Sequence, residues 1–205
     1  MRIAPFLAAA LLVAGCATES LGQPAASAGS CALTPGDPTQ GVDRMPGDVS
    51  WQAKLGPGKE LAPTAANIAA GARGQKLILG GRVLDVRCKP LAGAVLDAWQ
   101  VTADGVYGPA DAGGGLRCCY LTATVRTNNE GRFELQTVMP GHYPGAAAHI
   151  HVGIVGPRGG RLLTEIQFAN DPALQGRTDA VNVVEVATDP GGSLRASFDF
   201  VIETG

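Results

Sequence analysis

Between Leu194 and Ile202 the chain keeps a strict rhythm. Leu194, Ala196, Phe198, Phe200 and Ile202 are apolar, and the residues between them are mostly polar. A period of two is that of a pleated strand with one buried face, because successive side chains point to opposite sides. Further strand-like runs lie upstream, from Lys76 to Asp85, Ala94 to Val101, Arg132 to Val138, His149 to Val155, Leu162 to Phe168 and Val181 to Ala187. Turn formers separate the runs at Lys89-Pro90, Asp104-Gly105, Glu130-Gly131, Pro140-Gly141 and Asp189-Pro190-Gly191-Gly192. Gly 29 and Pro 14 supply about a fifth of the 205 residues, against a usual ~12%. Many short strands at such spacing predict an all-β fold, a β-sandwich over residues 76–205. Residues 31–75 read as an irregular arm, with a short helix expected from Thr64 to Ala72 and capped by Thr64.

The first residues read as a targeting segment. Met1-Arg2 is a short positive start, and Ile3 to Val13 is apolar apart from Pro5. That run is too short to span a bilayer as a mature helix. It ends in Leu12-Val13-Ala14-Gly15-Cys16, which resembles the lipobox of bacterial lipoproteins. The resemblance implies a signal peptide over 1–15, cleavage before Cys16, and lipid on Cys16 holding the chain to the cell envelope. Ala17 rather than Asp after the cysteine implies the outer membrane in a Gram-negative cell. An ordinary secretory signal with a chance cysteine is the alternative. Residues 16–30, rich in Ala, Ser, Gly and Gln, form a lipidated flexible tether in this reading.

Four cysteines remain: Cys31, Cys88, Cys118 and Cys119. In an exported chain they predict disulfides, with several connectivities open. A bond between neighbours Cys118 and Cys119 is strained, since adjacent Cα atoms stand only about 3.8 Å apart. Each is therefore expected to pair elsewhere, with Cys88 a candidate partner for one of them; free buried thiols are the alternative. The net charge of -2 and the lack of a basic stripe argue against nucleic acid as a partner.

The chemistry has few residues to draw on. The 3 histidines are His142, His149 and His151, and the 3 tyrosines are Tyr107, Tyr120 and Tyr143. On a strand, His149 and His151 face the same side, so both imidazoles can reach one metal while Ile150 points into the core. By itself His-x-His also suits zinc or copper, or two surface histidines. Tyr143 lies in the turn Pro140-Gly141-His142-Tyr143-Pro144-Gly145, and Tyr107 follows Asp104-Gly105-Val106. A phenol with a pKa near ~10 becomes a ligand only where a strongly charged ion removes its proton. Ferric iron suits that anionic oxygen, and two phenolates with two neutral imidazoles leave it one residual positive charge. His142 reads as a turn residue. Trp51 and Trp99 read as packing. The Gly-rich stretch from Gly108 to Gly115 is a loop over the pocket or a solvated connector, and it lacks the Gly-Lys-Ser/Thr ending of a phosphate loop. No Ser-His-Asp arrangement is supported by so few histidines.

Three segments carry a family resemblance. They read LGGRVLDVRCKPLAGAVLDAWQVTADGVY (79–107), RTNNEGRFELQTVMPGHYPGAAAHIH (126–151) and LLTEIQFANDP (162–172). Together they look like the intradiol ring-cleavage dioxygenases, the family of protocatechuate and catechol dioxygenases. More weakly, Cys31-Ala32-Leu33-Thr34-Pro35 resembles an arm segment of some members. The resemblance implies a prealbumin-like sandwich holding non-haem Fe(III) through Tyr107, Tyr143, His149 and His151. It implies a catechol-type substrate that displaces Tyr143, the freed phenolate then taking up a catechol proton. It further implies O2 as co-substrate and ring opening between the two hydroxyl-bearing carbons, which gives a muconate-type diacid.

Two positions depart from the family pattern. An arginine three residues before the first histidine is replaced by Ala146, and a glutamine of protocatechuate dioxygenases falls on Glu165. Losing such a guanidinium costs on the order of 3–4 kcal/mol if it acts as an oxyanion donor does. Arg117, Arg126 and Arg158 are candidates to supply the charge from a loop. The segment between Tyr143 and His149 is short, which implies an open pocket. The departures keep a second expectation alive: a weakened or retired sandwich that binds iron, catechols or a protein partner, as transthyretin-like modules bind without catalysis. A zinc or copper hydrolase or carrier is a third, and the two matched tyrosines argue against it.

Overall fold

The computed structural model describes residues 30–36, 65–68, 71–107, 121–142 and 144–204. Two sheets face each other. The first runs β1 (Ala65–Asn67), β5 (Arg132–Val138), β2 (Lys76–Asp85), β10 (Leu194–Ser197) and β9 (Ala187–Thr188), with β11 (Phe200–Ile202) also pairing β2. The second runs β4 (Thr122–Arg126), β3 (Val95–Trp99), β6 (His149–Val155), β7 (Arg161–Phe168) and β8 (Val183–Val184). Among the described residues there is no α-helix, as the alternating pattern requires.

The core fills the space between the sheets. Leu77, Leu79, Phe133, Leu135 and Phe200 from the first sheet meet Leu96, Ala98, Ile150, Val152, Ile154, Ile166 and Phe168 from the second. Each large apolar side chain buried there contributes about 1.5–3 kcal/mol relative to exposure. The alternation read between Leu194 and Ile202 is real, because Ala196, Phe200 and Ile202 are buried and Leu194 and Phe198 pack against the core. The run is nevertheless divided into β10 and β11. Pairing lapses at Phe198 and Asp199, where the Phe198 carbonyl lies 1.8 Å from where a Cβ on Gly81 would stand and Asp199 takes the Arg82 guanidinium at 2.6 Å.

Two expectations need correction, and one strand was not anticipated. The described part of the segment read as a helix from Thr64 to Ala72 instead carries strand β1, which pairs in parallel with β5. A sheet edge outweighs the helical preference of Ala65 and Ala66. Strand β4 had no clear periodic signature, since Thr122-Ala123-Thr124-Val125-Arg126 buries only Val125 fully. Cys88 is bonded to Cys31, with Cα atoms 5.3 Å apart, so it is not available to Cys118 or Cys119, which lie outside the described residues. The arm supplies the reason. Cys31 N–H donates to the Val86 carbonyl at 3.0 Å, and Thr34 exchanges bonds with Val201, so the arm is laid along β2 and β11.

The disulfide closes a loop with a sequence separation of 57. In the chain-entropy account such a loop is worth about 4 kcal/mol. Replacing Cys31 and Cys88 together by Ala is expected to lower unfolding stability by about 2–5 kcal/mol in denaturant titration. An unchanged midpoint would show that the arm is held by its backbone bonds alone.

Candidate metal centre

Strand β6 sorts its residues by the pleat. Ile150, Val152 and Ile154 enter the inter-sheet core, while His149 and His151 occupy the opposite face. That outer face is not open, because both histidines are only 4% exposed. Their Nε2 atoms converge to 3.0 Å, and the Tyr107 hydroxyl stands 3.0 Å from His151 Nε2. Three of the four residues assigned as ligands from sequence are thus brought to one point. Tyr143 lies outside the described residues.

Neighbouring groups fix each donor. His149 Nδ1–H donates to the Ala147 carbonyl at 2.7 Å, so a neutral His149 keeps its lone pair on Nε2, aimed at the convergence point. His151 stacks on Trp99 with ring centroids 5.0 Å apart and planes 16° apart, and the two residues are paired across β6 and β3. Trp99, read from sequence as packing, therefore also orients the His151 ring. Across β6 and β7, Glu165 pairs with His151 and Gln167 with His149. Glu165 Oε2 lies 3.8 Å from His149 Nε2, and Gln167 Nε2–H donates to Glu165 Oε1. The donor atoms of His149, His151 and Glu165 all fall within 4.8 Å of one another. Two imidazoles, a phenol and a carboxylate with lone pairs converging are a donor set that fits a first-row transition ion.

Tyr107 reaches the site through a close approach of two loops. Gly105 has φ +75°, and a Cβ there would stand 1.8 Å from the His142 carbonyl oxygen. Gly141 also faces Ala103 closely, with its absent Cβ 2.3 Å from the carbonyl oxygen, and its N–H donates to the Thr102 carbonyl at 2.9 Å. Only glycine permits this contact of backbone on backbone. Buried Gln100 ties the exits of β3 and β5 together, donating to the Val138 carbonyl at 2.8 Å and accepting from the Thr137 hydroxyl at 2.9 Å.

One positioning residue was quoted in the sequence segments without a role. Asp171 accepts from Ala148 N–H at 2.6 Å, immediately before His149, and from Ala173 N–H at 2.8 Å. It also pairs with His142 Nε2 at 2.7 Å, which gives that turn residue a partner. Burial pushes the Asp171 carboxyl up, but the two N–H donors and His142 outweigh it and hold the group below the usual carboxylate range. Two of the cations named from sequence, Arg126 and Arg158, lie away from this end of the sheet. Arg126 pairs in register with Val95 at the far end and bonds the Gly93 carbonyl, Arg158 lies in the turn beyond Val155, and Arg117 is outside the described residues. Arg177 does approach, donating to the Gly145 carbonyl at 3.2 Å beside Ala146. Its Asp179 partner first and Glu165 to a smaller degree raise its pKa.

Comparison with known proteins bears on the family and the fold. The sequence model of the family described as Dioxygenase matches residues 57–203. The chain is 29% identical over 161 residues to 6-chlorohydroxyquinol 1,2-dioxygenase of Cupriavidus pinatubonensis, covering 67% of this chain and 57% of that one. It is 30% identical to the protocatechuate 3,4-dioxygenase beta chain of Burkholderia cepacia, covering 63% and 65% respectively. It thus spans less than two thirds of these relatives. Among solved structures, the dioxygenase domain of a dioxygenase carbohydrate-binding protein fusion from Streptomyces sp. SirexAA-E superposes with TM-score 0.62 at 27% identity, covering 85% of this chain and 100% of that one. Catechol 1,2-dioxygenase from Pseudomonas arvilla C-1 gives TM-score 0.59 at 26% identity, covering 73% and 59%.

Asp171→Asn removes the charge that receives Ala148 N–H and His142. It is expected to cost about 1–3 kcal/mol at neutral pH. Because the folded-state pKa is depressed, that contribution is present above the unfolded value of about 3.9 and is lost as pH falls through the lowered folded value. Stability curves of parent and variant should therefore converge at acid pH; a gap that stays constant down to acid unfolding would contradict the assignment.

Proposed function

The chain belongs to the intradiol ring-cleavage dioxygenase family, and on that premise we propose that it holds one non-haem Fe(III) through Tyr107, Tyr143, His149 and His151 and opens a catechol-type ring between its two hydroxyl-bearing carbons. The observation that carries this reading is the convergence of Tyr107, His149 and His151 at 3.0 Å spacings, on a strand pair whose other face is core. When bound, ferric iron supplies Lewis acidity and a common template for catechol and O2. The protein's part is to present donors and exclude water. His149 offers Nε2 because Nδ1–H is committed to Ala147. Trp99 holds the His151 ring. The role given to Tyr143 is to leave on substrate binding and accept a catechol proton at its phenolic oxygen. The names of the relatives, with hydroxyquinol, protocatechuate and catechol among their substrates, support an aromatic vicinal diol as the substrate class.

Ala146 and Glu165 favour slow turnover. The first supplies no cation, and the second adds negative charge beside a centre where negative charge develops on the substrate. They also support the second reading, a sandwich that binds iron or catechols without turning them over. As for location, we propose an exported chain tethered through lipid on Cys16. The Cys31–Cys88 disulfide supports an oxidising compartment.

Two outcomes follow. Iron-loaded protein is expected to show a visible tyrosinate-to-iron band that shifts when catechol is added without O2; Tyr107→Phe should weaken the band and His149→Ala should abolish iron retention. A colourless protein that keeps no iron would defeat the four-ligand assignment. In a bacterial host, the full chain is expected to incorporate labelled palmitate and sediment with membranes, and Cys16→Ser should lose both properties; label retained by the serine variant would refute the anchor.

A further inference from the structure

Glu165 flanks the two histidines, its donor oxygen within 4.8 Å of their donor nitrogens. It pairs with His151 across the β6 and β7 ladder, on the same outer face as both histidines. Its side chain is only 14% exposed. Its two oxygens are used differently: Oε1 receives the Gln167 amide, and Oε2 is directed to within 3.8 Å of His149 Nε2. Gln167 is fixed in turn, since its Oε1 accepts from Val181 N–H at 3.2 Å and it is 4% exposed. The carboxylate is therefore oriented by a buried amide, as second-shell partners orient ligating carboxylates in metal sites. The Nε2 atoms of His149 and His151 stand 3.0 Å apart, the separation of two donors about 2.1 Å from one ion at a right angle.

From this placement we propose that Glu165 is itself a ligand, so that His149, His151 and Glu165 form a face that takes a divalent first-row cation as well as the ferric ion. The inference rests on the metal-centre reading for its two histidines and goes beyond it in the third donor and in the ions accepted. The charge balance explains why the difference matters. With tyrosines as the sole anionic donors, charge neutralisation requires each phenol to lose its proton, which only a strongly charged ion makes easy at neutral pH. A carboxylate is an ordinary ligand of divalent ions, so a face of two imidazoles and Glu165 can hold such an ion without calling on the phenols. Two imidazoles and one carboxylate are the facial set associated with ferrous iron, and imidazole with carboxylate also suits zinc.

The test compares the metal-free full chain with E165Q. Zn(II), and Fe(II) without O2, are titrated in against a competing chelator, and the Fe(III) form of each is examined for its visible band. The expected result is a divalent affinity at least about 10-fold weaker in E165Q, with the ferric band retained but moved to longer wavelength as the iron loses an anionic donor. Equal divalent affinities with an unmoved ferric band overturn the role of Glu165 and leave the ferric reading standing. A parent chain that binds neither divalent nor ferric ions overturns both. A crystal structure of the zinc-loaded parent gives a readout that does not depend on the variant folding: a Glu165 oxygen about 2.0–2.2 Å from the ion supports the proposal, and one beyond coordination distance overturns it.

Discussion

The pleat of one strand governs the architecture. Along β6, alternate residues must face opposite ways, and the sequence His-Ile-His-Val-Gly-Ile-Val assigns Ile150, Val152 and Ile154 to the core and the imidazoles to the other side. Ile150, at 0% exposure, is locked between the sheets, and this locks the direction of the histidines on either side of it. A shift of one residue in register would place two imidazoles in the core and Ile150 at the metal centre. The core therefore does more than stabilise the fold, because its packing energy holds His149 and His151 in their shared direction.

The neighbouring strands complete the centre by register rather than by local sequence. Trp99 arrives through β3 and Glu165 with Gln167 through β7, each opposite a histidine. Tyr107 arrives by a loop whose backbone touches the Pro140-Gly141-His142 loop, a contact that Gly105 and Gly141 alone permit. Asp171, following β7, reaches back to the amide before His149. The order of events along the chain and the order around the site are thus unrelated, and the ladder connects them.

Much of this was legible in advance. The ranges of β2, β5 and β6 follow directly from the alternation and turn residues, and the His-x-His geometry follows from one strand rule. The family membership was legible as a resemblance, carried by the three segments 79–107, 126–151 and 162–172. What escaped has physical reasons. Strand β4 is half-polar and pairs at a sheet edge, so its periodicity is weak. Ala65–Asn67 becomes a strand only because β5 offers an edge. Cys31 finds Cys88 through arm bonds to β2 and β11, contacts remote in sequence. Arg177 was missed among the possible cations because its approach to Gly145 depends on the path of the chain after Pro172–Leu174. Trp99 and Asp171 were visible as residues but not as supports, because their roles exist only across strand pairs.

The departures at Ala146 and Glu165 make turnover the decisive question. The most direct measurement is mass spectrometry of the product after iron-loaded protein and a catechol react under isotopically labelled O2. A ring-opened diacid carrying both labelled atoms is expected, formed by the parent chain and lost in His149→Ala. A product with no incorporated label, or only the quinone, from protein that retains iron would contradict intradiol cleavage and leave the chain as a binding member of its family.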